Sequence, residues 1–591
     1  MDRFKHILLH TILPAAVILT AVLVITAAAY GVHRAVKVDP GEPYTFEEVP
    51  AEDLEEVYAL EEARLQHERV KAEREAEEAE ARTEKRTMAN YRAMLRLLAD
   101  PEPDSFAIAS MLVDPYTVGI SLSGLRTVKT DDGLYHILAQ DITESGTQGR
   151  LIASKKADAN VNFAVSLAKD TVDSLLTKRF VAVVLKDGEY VPVSRGAYIL
   201  NPGVCADATH PRNDHGKKGI LPAAAYIRSD SVAALRADQS IYNVLLGSLC
   251  SGSGYNYTWN GQTYSFSYDI LSQLDIVVNR LASQGTQITF VLLNNAAGNA
   301  SLIDPRARGG SAHYYAFNTA EKGGMDKMAA AVAMLAGRYS AVDNWVIGNE
   351  INARGDWYYM STSGLEEFSQ AYANAFRVLY NTILSRNANA RVYISIDQQW
   401  NRSINTAKYY SGRSFLNAFN RAVSAEGNIP WDVAVHPYNY PLSAATAWST
   451  GNNVFHSIET PMLTMANIDV LTDFLCAPDM INDDGTVRSV LCSEVGYTSQ
   501  KGEGLQAASV VYGYLQAVNN QHIDGFILSR ELDDAGEAAQ GLSLGLISSG
   551  GTRKLAWHWY MEIDGDNAQR IIAEAAAVIG VEDIRTLLTP R

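Results

Sequence analysis

From residue 205 to the end of this 591-residue chain, short apolar runs alternate with amphipathic stretches, and no other feature restricts the fold so tightly. The runs at 219–224, 241–246, 288–293, 344–347, 392–396, 433–435, 490–492 and 525–528 read as buried strands. Between them, apolar residues recur at helical spacing over 231–237, 268–283, 323–338, 364–384, 413–424, 468–475 and 505–519, and again over 567–579 after the last strand. Strands that alternate with helices pair in parallel, and eight such repeats predict a closed α/β barrel, (β/α)8, over residues 204–591.

A barrel of this kind gathers its site from the C-terminal ends of its strands. Strand four ends in Trp345-Val346-Ile347-Gly348-Asn349-Glu350, strand six in Val435-His436-Pro437-Tyr438, and strand seven in Leu491-Cys492-Ser493-Glu494-Val495-Gly496. An apolar run that stops at a carboxylate leaves that group at the rim of a low-dielectric core, where its proton affinity can rise. Two such groups facing each other suit glycosyl transfer, since one protonates the leaving oxygen while the other attacks the anomeric carbon. Taken singly, Asn349-Glu350 reads as a loop pair, Glu494 as a salt-bridged rim residue and His436-Pro437-Tyr438 as a turn. Their joint placement on strands four, six and seven, with 144 positions between the two glutamates, points to catalysis.

The pattern resembles the clan-A glycoside hydrolases, retaining (β/α)8 enzymes, and is most similar to a bacterial branch of that clan, over roughly Cys205 to Arg591. The resemblance implies that Glu350 is the acid/base and Glu494 the nucleophile, with Asn349 on the sugar 2-hydroxyl. It also implies that Tyr438 bonds the nucleophile and that His436 binds sugar or orients the acid/base. The chain departs from the pattern in two places. After strand eight, where many clan members carry a Trp floor, it has Leu528-Ser529-Arg530-Glu531, and no Arg stands out on an early strand. Arg530 and Glu531 are expected either to touch the substrate or to pair with each other. Gln398 and Trp400, from Asp397-Gln398-Gln399-Trp400 after strand five, are further candidates for binding, as are His313-Tyr314-Tyr315 after strand three. Trp357, in the loop that follows the acid/base, is a stacking candidate at a leaving-group subsite.

The net charge of −17 argues against a nucleic-acid partner, which would call for a basic footprint. Tyr outnumbers Phe 30 to 15, and flat side chains with a polar tip suit sugars as well as half-buried packing. Cys205, Cys250, Cys476 and Cys492 form no CxxC pair, so buried free thiols are expected, with a Cys476–Cys492 bridge as the alternative outside the cell. The chain has neither a phosphate-cradling Gly-Lys-Ser/Thr loop nor a Gly-x-Ser-x-Gly elbow. His210-Pro211-Arg212-Asn213-Asp214-His215 lacks helical ligand spacing and reads as a surface loop rather than a metal site. No cofactor and no metal are expected.

Ahead of the barrel, residues 1–37 hold one apolar run, Ile7 to Tyr30, which is long enough to span a bilayer core of about 30 Å. Arg3 and Lys5 precede it, which places the remainder outside the cell. Ala27-Ala28-Ala29 offers cleavage as a signal peptide instead, and either outcome exports the chain. Residues 38–103 include a Glu/Ala/Arg/Lys-rich stretch from 52 to 98 that predicts a solvated helical stalk, ended by Pro101 and Pro103. Residues 104–203 switch to period two at 116–122, 134–140, 162–167 and 179–185, with Asp132-Gly133 and Asp187-Gly188 turns, and predict a small β-sandwich. The whole reads as a membrane-anchored glycoside hydrolase that cleaves β-glycosidic bonds in an extracellular polysaccharide or glycan. The alternatives are an inactive barrel that binds glycans at the surface and a transglycosylase using the same residues.

Overall fold

The computed structural model describes residues 64–83, 85, 100–214, 216–226, 229–297, 299–362, 364–402, 405 and 407–590. The chain divides into two compact units, Met1–Tyr91 and Arg92–Arg591. In the first, residues 64–83 are helical and exposed throughout. Opposite charges four residues apart, such as Arg69–Glu73 at 3.3 Å and Arg74–Glu78 at 3.5 Å, line this part of the expected stalk. The apolar run at 7–30 lies outside the described residues, and among the described residues no helix is long and apolar enough to cross a membrane.

The second unit begins with seven antiparallel strands: β1 (Phe106–Asp114), β2 (Thr117–Gly124), β3 (Leu134–Gln140), β4 (Arg150–Lys156), β5 (Asn160–Ser166), β6 (Arg179–Lys186) and β7 (Glu189–Pro192). They form a three-stranded sheet, β1-β2-β5, and a four-stranded sheet, β4-β3-β6-β7. The two expected turns carry left-handed Gly133 and Gly188, with φ of 74° and 81°. Val118, Ile120, Tyr135, Ile137, Phe163 and Ala182 alternate into an interior that is continuous with the barrel's outer core. Charged and polar bonds tie the sandwich to the barrel: Lys169 Nζ reaches Asp207 at 2.6 Å, and Asn381 Nδ2 donates to Leu176 O at 2.9 Å.

All eight expected strands close into one parallel barrel. They are β8 (Lys218–Ile220) and β9 (Gln239–Leu245) and then, after an inserted hairpin of β10 (Gly254–Trp259) and β11 (Gln262–Ser267), β12 (Gln287–Leu293), β13 (Val342–Ile347), β14 (Arg391–Ile396), β15 (Asp432–Val435), β16 (Val490–Val495) and β17 (Ile523–Leu528). The first strand is shorter than expected, because Pro222 follows Leu221 and has no N–H to extend the ladder. Ile241, Val291, Leu293, Val346, Tyr393, Ala434, Leu491 and Ile527 fill the barrel axis. Their neighbours in sequence, such as Trp345, Ile347, Ile394, Val435 and Cys492, pack outward against the helices. Three of the four cysteines are buried free thiols, whereas Cys476 is exposed, and none is bridged.

The expected surface loop is found over residues 210–214, all of them exposed or half-buried, and it has a structural task as well. Arg212 donates to Asp343 O at 2.9 Å and to Asn344 Oδ1 at 3.0 Å, and Gln287 Nε2 reaches Asn213 O at 3.0 Å, so the segment stoppers the N-terminal mouth of the barrel. The helix Glu503–Asn519 seats closely on the barrel at Gly513, where an added Cβ would lie 2.4 Å from Tyr497 Oη and 2.9 Å from the Phe526 ring. Although alanine is the better helix former, Gly513→Ala is expected to destabilise the fold by about 1–3 kcal/mol through overpacking. The urea midpoint reads this, and a rise would contradict the packing.

Candidate active site

Interior side chains on strands four to eight fall at every second position, and continuing that period past each strand end names the residues that face the mouth. From Tyr393 the period reaches Ser395 and Asp397; from Ala434 it reaches His436; from Ile527 it reaches Ser529. Glu494 is out of phase, since Leu491 is interior and Ser493 follows two positions on. Pairing with β17 slips between Cys492 and Val495, so β16 carries one extra residue there, a bulge that re-aims Glu494. Strand four makes its own adjustment. Gly348 is left-handed at φ 83°, and Glu350 itself has φ 40°, a conformation costly for a residue with a side chain.

His436 joins the two glutamates. Its Nδ1 lies 2.7 Å from Glu350 Oε1 and 3.7 Å from Glu494 Oε2, which holds those two oxygens within 6.4 Å of each other. The side chain of His436 is only 3% exposed, while those of Glu350 and Glu494 are 16% and 25% exposed, open enough to meet a ligand. Burial disfavours a charge on the imidazole, but Glu494 and Glu350 outweigh it and push its pKa up to about 9. Tyr438 donates its hydroxyl to Glu494 Oε2 at 3.0 Å, and the Ser529 hydroxyl lies 3.1 Å behind it. Burial, then the charge of Glu494, push the Tyr438 phenol far above its ordinary range, so it stays a donor.

Asn349, 9% exposed, precedes Glu350 at the same strand end. The glutamate's N–H donates to Ser395 Oγ at 2.9 Å. Tyr314 packs over the interior cluster of the barrel, and burial followed by the charge of Glu494 raises its phenol, so an aromatic from the third loop sits near Glu494. Trp357 is half-buried and stacks on His313 at 4.6 Å and 16°.

Two expectations are corrected. Trp400 is fully buried, its Nε1 donating to Ile458 O at 3.0 Å and its ring set edge-on to Phe474, so it offers no face to a ligand. Arg530 does not pair with Glu531. It reaches Glu537 at 2.5 Å, on the short helix Ala535–Ala538, whereas Glu531 is buried and accepts from Ala223 N at 2.9 Å. Glu537 feels the charge of Glu494, which puts the Arg530–Glu537 pair in the electrostatic surroundings of that carboxylate. Gln398 is half-buried, out of phase with Ser395 and Asp397, and hydrogen-bonds neither glutamate; its carbonyl accepts from Leu463 N at 2.8 Å. Ser395 and Ser529 were missed by motif reasoning, although the period from Tyr393 and Ile527 marks both.

A closed barrel whose fourth and seventh strands end in facing glutamates, with a His-x-Tyr from the sixth touching both, has the architecture of a clan-A (β/α)8 glycoside hydrolase. The chain belongs to the family of unknown function DUF5722, which it matches over residues 210–587. No curated protein matches it. Among solved structures it is similar to a family 39 glycoside hydrolase from Bacteroides cellulosilyticus WH2, at 13% identity over 78% of this chain and 81% of that one, with a TM-score of 0.41. It is also similar to a GH5_18 protein from Bifidobacterium longum subsp. longum, at 13% identity over 60% and 79% of the two chains, with a TM-score of 0.41. A β-D-glucuronidase from Dictyoglomus thermophilum matches at 9% identity over 78% and 68%, with a TM-score of 0.34. Likenesses this distant leave the chemistry to be read from the chain's own side chains.

Because the folded-state pKa of His436 lies above its unfolded value of about 6.5, its charge stabilises the fold fully below that pH. The contribution is lost as pH rises through about 9. Wild-type stability is therefore expected to decline between those limits, with a shallower decline in His436→Asn; parallel urea titrations would detect equal slopes if the imidazole were neutral.

Proposed function

We propose that this protein is a retaining glycosidase that cleaves β-glycosidic bonds in a polysaccharide or glycan. The observation that carries the reading is the 6.4 Å ceiling on the two glutamate oxygens bridged by His436. Retaining enzymes hold their carboxyl groups about 5–5.5 Å apart, whereas inverting enzymes need about 6.5–9.5 Å to admit a water between carboxylate and sugar.

In this reading Glu494, held by Tyr438, attacks the anomeric carbon as the bond to the leaving oxygen breaks. Glu350 gives that oxygen its proton. The covalent glycosyl ester on Glu494 is then hydrolysed by a water whose proton passes to Glu350, and the Glu494 carboxylate departs. A cationic His436 supports an ionised Glu494 next to Glu350 and orients the latter's side chain. Asn349 meets the 2-hydroxyl, Tyr314 underlies the reacting sugar where other clan members use a Trp, and Trp357 flanks the leaving-group side. Arg530, set by Glu537, is a polar contact at the rim near the nucleophile. The apolar run at 7–30, preceded by Arg3 and Lys5, supports an anchored barrel facing outward from the cell membrane.

Glu350→Gln is expected to slow hydrolysis of substrates with poor leaving groups by about 10²–10⁴. Glu494→Ala is expected to lose hydrolysis and to regain turnover with azide as a glycosyl azide of inverted configuration. A substrate panel, together with a cyclitol probe and peptide mapping, tests the assignment; full activity in Glu494→Gln would overturn it.

A further inference from the structure

The acid/base sits on a strained turn, and strand five holds that turn through a carboxylate with no part in bond breaking. Glu350 is left-handed, and it and the two residues after it bond in sequence to the end of β14. The N–H of Glu350 donates to Ser395 Oγ at 2.9 Å, and the N–H of Ile351 donates to Ser395 O at 2.9 Å. Asn352 and Asp397 then clasp each other: Asn352 Nδ2 donates to Asp397 Oδ1 at 2.5 Å, and Asp397 N donates to Asn352 Oδ1 at 2.9 Å. The backbone of Asn352 is fixed in turn by Tyr410, whose N–H donates to its carbonyl at 2.8 Å. A φ of 40° persists in a glutamate only where the surroundings over-determine it, and these bonds do so.

Asp397 is 6% exposed, and its other bonds come from amides, Gln399 N at 2.9 Å and Gln399 Nε2 at 3.0 Å. Among the described residues no Lys or Arg is ion-paired with it, whereas the buried Asp304 and Asp432 pair with Arg306 and Arg391. Its nearest charged neighbours are therefore those of the site, Glu350 and the imidazole of His436. Burial, followed by the charge of Glu350, raises its own proton affinity, and its charge contributes to that of His436.

We propose that Asp397 is a positioning residue for Glu350: through Asn352 it holds the left-handed turn that carries the acid/base and so aims the Glu350 carboxyl at the leaving oxygen. The proposal rests on Glu350 being the acid/base. The other groups around the pair are His436 and Tyr438 from strand six, Glu494 from strand seven, Arg354 and Asp356 after strand four, and Lys408, Tyr409 and Tyr410 after strand five. Lys408 lies 3.5 Å from Asp356, and Arg354 lies over the Tyr410 ring at 4.9 Å, so these two cations are engaged away from the Asp397 carboxylate.

The test is kcat/KM for Asp397→Ala and Asp397→Asn on aryl glycosides whose leaving groups span a wide acidity range. In Asp397→Ala, rates are expected to fall most, by about 10²-fold, for the poorest leaving groups and little for those that depart without a proton. Asp397→Asn, whose amide oxygen can still accept from Asn352, should recover most of that loss, and Asn352→Ala, which breaks the clasp from the other side, should show the same dependence on leaving group. A purely structural Asp397 would lower all substrates alike, and that result, or loss of the folding transition in both Asp397 variants, overturns the proposal. Labelling of Glu494 by a cyclitol probe in the wild type separates the two claims. Labelling with uniform losses removes only the role of Asp397, and absence of labelling together with absence of turnover removes the glycosidase reading itself.

Discussion

The buried imidazole of His436 lies between two glutamates delivered by different strands, and the arrangement of the site depends on that contact. Two carboxylates this close repel each other in a poorly hydrated mouth. A cation between them offsets the repulsion and holds the two bonded oxygens within 6.4 Å of each other. The same charge has to be desolvated, and only the two acids together make that worthwhile; either alone would leave a buried ion short of compensation. Tyr438 completes the arrangement from the other side by donating to Glu494, so one short segment after β15 governs both acids.

Strain at the mouth is borne by rigidity at the base. The bulge at Glu494 and the left-handed Glu350 are local departures from regular geometry, and both sit where the strands end. Below them the interior is closed by apolar layers, and the N-terminal opening is stoppered by Arg212, Gln287 and Asn344, with Arg391 bonded to Asp432 at 2.7 Å. The closed ladder has no free edge to relax into, so the distortions persist. The sandwich adds to this frame by sharing the barrel's outer core and by bonding to the helix Leu365–Leu384.

Particular residues show where the sequence was legible. Apolar runs marked all eight barrel strands, because a parallel strand is buried on both faces and loses its polar alternation. The hairpin of β10 and β11 went unseen, since an insertion follows no repeat of the fold, and β1 was obscured by the alanines and serines that dilute its alternation. Trp400 looked like a sugar platform from its place after β14, yet long-range packing buries it completely, edge-on to Phe474. Arg530 found Glu537 rather than its chain neighbour, because adjacent positions at a strand end point to opposite sides.

The sequence alone determined which acids stand at which strand ends, since burial pattern and chain order are local properties and the barrel rule converts them into a common rim. Tertiary structure decided whether those acids face one another. The extra residue in β16, the left-handed Glu350, the clasp of Asn352 with Asp397 and the bridging imidazole all arise from contacts between segments 33 to 86 positions apart. No local pattern encodes such contacts, because side-chain direction at a strand end is set by what the neighbouring strands press against it.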